Sequence, residues 1–297
     1  MSALDRNSTV ATSASLWTWN INMRIARLKE QIAHVLSAAP DILCLQEVNP
    51  NALPLWTTRL RDARYNVEAS APRADAAGGR RLGVLIASRS GLTRVEQPTG
   101  LPWTERLLVA DVQLPGWTQA LRVMCLHAPT RGNPGLAKVL TFEAVSASLA
   151  ALPDQLPAVL CGDLNVPQHE APDGTITTFG QTPRGYLHRD GGAREDVAER
   201  TILHRPLLGD EVLAADATTL GWSDAFRALR GYEFCDWSWK AGRGTKPGYR
   251  LDHILLSPHL KSVECDYDHD VRNDGLSDHS AMYATVELSM PAVASLS

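Results

Sequence analysis

The sequence predicts packed β-sheets flanked by helices in a single α/β domain, on three observations. Short apolar runs with strand character outnumber helical patterns, neighbouring runs look antiparallel across turn residues, and only two segments carry a long amphipathic helical period. The 297 residues are 44% hydrophobic and 21% charged, enough to bury a substantial core. A formal net charge of -4 gives no global basic field, so contact with nucleic acid calls for a local patch or a bound cation. The five cysteines (Cys44, Cys125, Cys161, Cys235, Cys265) are odd in number and lack a Cys-x-x-Cys spacing. They read as reduced, mostly buried small hydrophobes. No apolar run reaches membrane-span length and the first residues lack the order of a secretion signal. The expectation is an intracellular, cytoplasmic monomer without a protein partner.

Residues 1–14 are small and polar and read as a disordered N-terminus, followed by one domain over 15–290 and a tail over 291–297. Leu16 to Asn20 alternates like a strand, and Ile25, Leu28, Ile32, Val35 and Leu36 recur at helical spacing from Arg24 to Ser37, where Pro40 bars continuation. Asp41 to Glu47 reads as a second strand, giving strand, helix, strand. A short helix is expected over Leu53 to Asp62, with strands near Tyr65 to Ala69 and Leu82 to Ser88. Between these strands, 72–81 is a basic loop. Residues 105–113 and 119–126 read as an antiparallel pair around Pro115-Gly116. The helix from Leu136 to Leu152 then leads into the apolar run Val159-Leu160-Cys161. Gly162 is expected to turn the chain sharply out of the sheet there, so that Asp163 and Asn165 project together at the strand end or simply close an Asx turn.

From Pro167 to about Thr219 the pattern dissolves, apart from a short helix near Ala198 to Leu203. A connection of that length predicts a mobile segment close to the site, with Arg184, His188 and Arg189 as substrate contacts or solvated surface. Strands are then expected over Trp237 to Trp239, Tyr249 to Leu256 and Ala281 to Leu288.

Strand ends carry Asn20, Glu47, His127, Asp163 with Asn165, Asp252, and Asp278 with His279. Each alone is a common loop-starting residue. Together, Trp19-Asn20, Leu45-Gln46-Glu47, Leu126-His127-Ala128-Pro129, Gly162-Asp163-Leu164-Asn165, Arg250-Leu251-Asp252 and Ser277-Asp278-His279 resemble the endonuclease/exonuclease/phosphatase superfamily in order, neighbours and spacing. The resemblance implies a four-layer α/β/β/α sandwich of two packed mixed β-sheets flanked by helices, and divalent-metal-dependent cleavage of phosphate esters.

That chemistry needs charge neutralisation and positioning around an anion. Glu47 and Asp278, assisted by Asn20, offer hard oxygens suited to Mg²⁺ or Mn²⁺. By resemblance, Asp163 orients or deprotonates water and Asn165 holds the phosphate. His279 contacts the phosphate too, with Asp252 on its other ring nitrogen. The C-terminal part resembles the exodeoxyribonuclease III type of abasic-site endonuclease, which makes Trp237, Trp239 and Tyr249 candidate walls of a sugar pocket. His127 stands where that branch has tyrosine, as in pancreatic-type deoxyribonucleases. A partly protonated imidazole there would serve the leaving group. Asn22 and Arg131 are further candidate substrate contacts, as are Arg73, Arg80, Arg81, Arg243 and Lys246 for DNA phosphates. DNA is the favoured substrate, for an abasic-site endonuclease and/or 3'-exonuclease. A phosphatase or phosphodiesterase acting on a lipid, sugar or nucleotide phosphate is the alternative. A non-catalytic binding module would lack a principal catalytic residue, and none is missing.

Overall fold

A computed structural model describes residues 13–70, 82–132, 136–204, 221–240 and 248–289. The chain opens with β1 (Ser13–Asn20), α1 (Leu28–Ala38), β2 (Ile42–Val48), α2 (Leu53–Asp62), β3 (Asn66–Ala69), β4 (Gly83–Ser88) and β5 (Gly91–Val95). A single 3₁₀ turn, Thr104–Arg106, leads into β6 (Leu107–Gln113), then β7 (Leu121–His127), α3 (Ala137–Ala150) and β8 (Ala158–Asp163). Next come β9 (His169–Glu170), β10 (Ile176–Thr177), α4 (Gly192–Ile202), β11 (Ser223–Asp224) and α5 (Ala225–Arg230). The chain closes with β12 (Trp239–Lys240), β13 (Gly248–Tyr249), β14 (Asp252–Leu256), β15 (Leu260–Asp268), α6 (Asp270–Asn273) and β16 (Ala281–Leu288).

One sheet has the order β15-β16-β1-β2-β4-β3 and the other β11-β14-β8-β7-β6-β5. Each is mixed, with a single parallel pair: β1 with β2 in the first and β7 with β8 in the second. A parallel pair needs a crossover, and α1 and α3 supply it on the outer faces. Strand alternation sorts the apolar residues accordingly. Leu16, Ile42, Cys44, Val84, Val123, Cys125, Val159, Cys161 and Ile254 fill the space between the sheets. Trp19, Leu43, Leu45 and Leu85 turn outward to pack with Ile32 and Val35 of α1 and Trp56 and Leu60 of α2. Met124, Leu126, Leu160 and Leu255 meet Val139, Phe142 and Val145 of α3 and Ala198 and Ile202 of α4. Both strand faces are therefore buried, which is why the strands read as apolar runs and why the molecule has the four expected layers.

Several boundaries differ from the sequence expectation. β1 begins at Ser13, inside the stretch expected to be disordered, and α1 begins at Leu28 because Asn22 and Met23 take positive φ and leave Ile25 exposed. Among the longer strands, two had no clear sequence signal. β5 is a mostly exposed edge, and in β15 a register shift between Ser262 and Glu264 breaks the period-2 pattern. The run expected from Tyr249 to Leu256 divides at Arg250 and Leu251 into β13 and β14, which lie in different sheets. Trp237 is outside the strand expected for it, and only Trp239–Lys240 pairs, with β13.

Residues 167–204 do not dissolve. β9 and β10 form a hairpin, and α4 runs for eleven residues against α3, longer than the short helix expected. Its approach depends on glycine: a Cβ on Gly180 would lie 2.5 Å from Asp196 N and from Gly192 O. The polarity that hid this helix is internal, since Asp196 accepts from Thr178 Oγ1 at 2.5 Å and pairs with Arg200 at 3.1 Å. Arg73, Arg80, Arg81, Arg243, Lys246, residues 205–219 of the long connection and the tail 291–297 lie outside the described residues. Among the described residues no helix is long and apolar enough to cross a membrane.

Candidate active site

The two parallel pairs deliver their C-terminal ends to the same edge of the inter-sheet space. Asn20 ends β1, His127 ends β7 and Asp163 ends β8, while antiparallel β14 starts there with Asp252 paired to Asp163. By strand parity these four continue the rows of Leu16, Cys125, Cys161 and Ile254, so they form the last, polar rung of the inter-sheet core. Glu47 breaks parity. Alternation would send it outward with Leu43 and Leu45, but φ 56 and a register shift between Leu45 and Val48 turn it in towards Asn20. Gln46 fills the inward position beneath, donating to Thr18 Oγ1 at 2.9 Å and Cys125 Sγ at 3.2 Å. Gly162 lies within β8 instead of turning the chain out of it. Its φ of 132 and the Leu126 carbonyl, 2.0 Å from where a Cβ would sit, make glycine obligatory.

Asp163 is the hub. Its Oδ1 accepts from Asn165 N at 3.0 Å, closing an Asx turn, and its Oδ2 accepts from Asn20 Nδ2 at 2.9 Å. The same Oδ2 stands 3.9 Å from both His127 Nε2 and His279 Nε2. The turn and the projection toward a site thus coexist. Asn165, at φ 53, donates its amide to Ala128 O at 2.8 Å. His279 Nδ1 lies 2.8 Å from Asp252 Oδ2. Asp252 does not pair with Arg250, which reaches Glu170 at 2.7 Å and Asp224 at 2.6 Å.

Burial, joined by the like charge of Asp252, pushes the Asp163 carboxyl up to about 7 against the pull of His279. Burial also raises Glu47. For His279 burial works against the charge, but Asp252 and Asp163 outweigh it and raise the ring to about 10, so it is an imidazolium at neutral pH. His127 is the reverse of the expected partly protonated ring. Burial, the Arg106 guanidinium and His279 hold it well below 6.5, and Arg106 Nη1 lies 3.0 Å from Nδ1 and 3.1 Å from Nε2. A neutral ring keeps one N–H as a hydrogen-bond donor but is no reservoir of protons.

A cavity of about 400 Å³ opens over this rung, lined by Glu47, His127, Asp163, Asn165, Asp278 and His279 together with Thr130, Arg131, Lys138, Phe179, Trp239 and Leu251. The structure divides the three aromatic candidates. Trp239 lines this cavity and donates Nε1 to Asp278 Oδ2 at 3.1 Å. Trp237 and Tyr249 instead line a second cleft of about 180 Å³ with Glu170, Arg227 and Arg250. Tyr249 touches the first cavity's wall through Phe179 and Trp239, with ring centroids 6.1 and 5.8 Å away. Asn22 does not line the cavity; its N–H bonds Asn20 Oδ1 at 2.9 Å. Arg131 does, but it is held by Phe179 O at 2.5 Å and Glu195 at 3.1 Å. Arg184, His188 and Arg189 are absent from the lining.

Arg106, Lys138 and Phe179 had not been singled out from the sequence. Arg106 had a signal: antiparallel pairing of β6 with β7, Leu107 opposite Leu126, places the start of one beside the end of the other. Lys138 and Phe179 had none, because their partners lie on α4.

A tight group of ligand-type atoms is formed by Asp163, Asp252 and His279. In that group a protonated His279, bonded to Asp252 Oδ2, has no lone pair to give, while Asp252 Oδ1 is buried without a hydrogen-bond partner. Glu47 differs: its nearest bonded donor is Asn20 Nδ2 at 3.4 Å, its carboxyl is raised by burial and by Asp278, and both line the open cavity. Hard oxygens lacking a cation fit Mg²⁺ or Mn²⁺.

The chain matches the endonuclease/exonuclease/phosphatase family over residues 17–279. It is 26% identical over 285 residues to the DNA repair nuclease APEX1 of Danio rerio, covering 91% of this chain and 81% of that one. Among solved structures it is similar to an AP endonuclease from Archaeoglobus fulgidus, with TM-score 0.65, 22% identity and coverage of 91% and 98%. It is also similar to a Neisseria 3' phosphatase, NExo, bound to product DNA hairpin, with TM-score 0.63, 21% identity and coverage of 93% and 100%.

Proposed function

Because this chain belongs to the endonuclease/exonuclease/phosphatase family, a family of phosphate-ester hydrolases, we propose that it is a divalent-metal-dependent DNA nuclease, an abasic-site endonuclease and/or 3'-exonuclease. The observation that carries the reading is the charge mismatch at the cavity. Among the described residues, Glu47, Asp163 and Asp278 line the floor with the His279 imidazolium, while Asp252 is bonded to His279 and Arg106 lies against His127, so four carboxyl groups meet two cations. Such a floor favours a bound cation and, through it, a phosphate. The relatives named as acting on or bound to DNA favour DNA as the source of that phosphate.

Glu47 and Asp278, with Asn20, would hold Mg²⁺ or Mn²⁺, which when bound neutralises charge on the phosphate oxygens. Asp163 takes the proton of the attacking water. Its two oxygens are fixed by Asn20 and by the Asn165 N–H, and a value near 7 is matched to a base working at neutral pH. His279 presents Nε2–H to a phosphate oxygen, its charge maintained by Asp252. Asn165 keeps its second amide hydrogen for the phosphate, and His127 gives a neutral hydrogen bond to the departing oxygen.

One observation favours the second reading, a phosphatase or phosphodiesterase on a smaller phosphate. Arg131 and Lys138, the cations on the cavity wall, are already paired with Glu195 and Glu199, which reduces their pull on a long polyanion. Turnover of abasic duplex, plasmid DNA and a bis-aryl phosphodiester with and without Mg²⁺ decides. Chelator-sensitive nicking of either DNA supports the nuclease, and turnover of the bis-aryl ester alone removes it.

A further inference from the structure

Lys138, in the first turn of α3, is only 3% exposed. An ammonium so placed must find partners for its three N–H bonds. Its Nζ donates to Glu199 Oε1 at 2.5 Å and to Asn165 O at 3.0 Å, with Glu195 Oε1 at 3.7 Å. The charge also lies 4.7 Å over the Phe179 ring. With two carboxylates beside it and two of its three donors hydrogen-bonded, this cation has little left for a phosphate, although it borders the cavity.

Its contacts lead elsewhere. Asn165 is a non-glycine residue at φ 53, a conformation that costs on the order of 1 kcal/mol and persists only where neighbours over-determine it. Three bonds do so: its N–H to Asp163, its amide to Ala128, and its carbonyl to Lys138. Two of these define how Asp163 and the Asn165 side chain point. The third is anchored on α4, because Glu199 also accepts the Phe179 N–H at 2.8 Å through its other oxygen.

We propose that Lys138 is a positioning residue, which locks the Asp163-Leu164-Asn165 turn by tying the Asn165 carbonyl to Glu199 of α4. The segment 167–204 is then part of the catalytic apparatus without touching the reacting atoms. The inference rests on the reading that Asp163 and Asn165 act at the phosphate.

Replacing Lys138 alone strands Glu199 in the interior and lowers stability whatever the lock does. The informative pair is built on Glu199→Gln: Lys138→Gln, which keeps a donor, and Lys138→Met, which keeps none. Both doubles carry the same charge and similar volume. The lock predicts kcat reduced about tenfold to a hundredfold in the Met double, with KM changed less than about threefold, and kcat within about fivefold of wild type in the Gln double, as expected for a group acting only through orientation. Equal kcat in the two doubles, at equal melting temperature, overturns it. A crystal structure of the Met double reads the lock without turnover: Asn165 should leave positive φ and lose the bond to Ala128 O, and its retention overturns the proposal even if no substrate is ever turned over. Should the doubles fail to fold, hydrogen exchange on the wild-type protein still decides. Asn165 N–H should be protected to the level of α4, and fast exchange beside a protected α4 overturns the lock.

Discussion

The floor of the site and the ion cluster beneath the second cleft are both built from buried carboxylates, yet the two push them in opposite directions. Beneath the cleft, Glu170 and Asp224 meet Arg227 and Arg250, two carboxylates to two guanidiniums. Arg250 donates to Glu170 at 2.7 and 2.9 Å and Arg227 at 2.6 Å. Burial there is outweighed by Arg250 and Arg227, which bring Glu170 down to about 2, and by Arg250 and His253, which bring Asp224 lower still. On the floor, burial meets fewer cations for each carboxylate, so Asp163 rises to about 7. A charge cluster that holds a fold together is matched; one that does chemistry is left short of a partner that arrives with the substrate.

The largest effect that sharpens this contrast is in the matched cluster. Arg250→Met strands two carboxylates and should cost about 3–5 kcal/mol in denaturant unfolding, as for other broken buried pairs. A cost under about 1 kcal/mol would put the cluster on the same footing as a surface pair. On the floor the signs reverse. Asp163→Asn should lower kcat about a hundredfold or more, as expected for loss of a general base, with an unfolding midpoint equal to or above wild type because a buried carboxyl is gone. A variant that keeps most of its rate at every pH makes Asp163 a turn residue alone.

Cation binding tests the mismatch directly. Mg²⁺ or Mn²⁺ should raise the melting temperature, equivalent to about 2.7 kcal/mol at a concentration a hundredfold above Kd, and Glu47→Gln should abolish most of the rise. An equal shift in wild type and variant would move the cation away from Glu47. The matched cluster is tested again by the pH dependence. Glu170 is depressed from 4.5 to about 2 in the fold, so its stabilisation is complete above about pH 4.5 and fades as pH falls from there towards 2. Glu170→Gln should flatten that limb of the stability curve; an unchanged acid limb would assign it to other carboxylates.

The parts legible in the sequence were those fixed by local pattern. The crossover helices, the pairing of β6 with β7 and the polar strand ends followed from periodicity, and the phrases around Asn20, Glu47, Asp163 and His279 followed from order and spacing. Illegible were β15, where a bulge erases alternation, and the first half of α4, before Ala198, whose polar residues are satisfied by one another and not by water.

What the sequence determined by itself is therefore the set of strand-end groups and packed sheets flanked by helices, because side-chain period and apolar runs are properties of the chain alone. The two-sheet, four-layer arrangement was what the family resemblance implied. The tertiary structure decided which groups meet. Glu47 faces inward only because its backbone departs from the strand, and His127 is held well below its usual range because folding buries it and lays Arg106, from the turn before another strand, against it. Trp237 and Trp239, two residues apart, line different cavities because only the second is paired into a strand. Charge state and direction depend on neighbours brought close by folding, and no spacing along the chain encodes that distance.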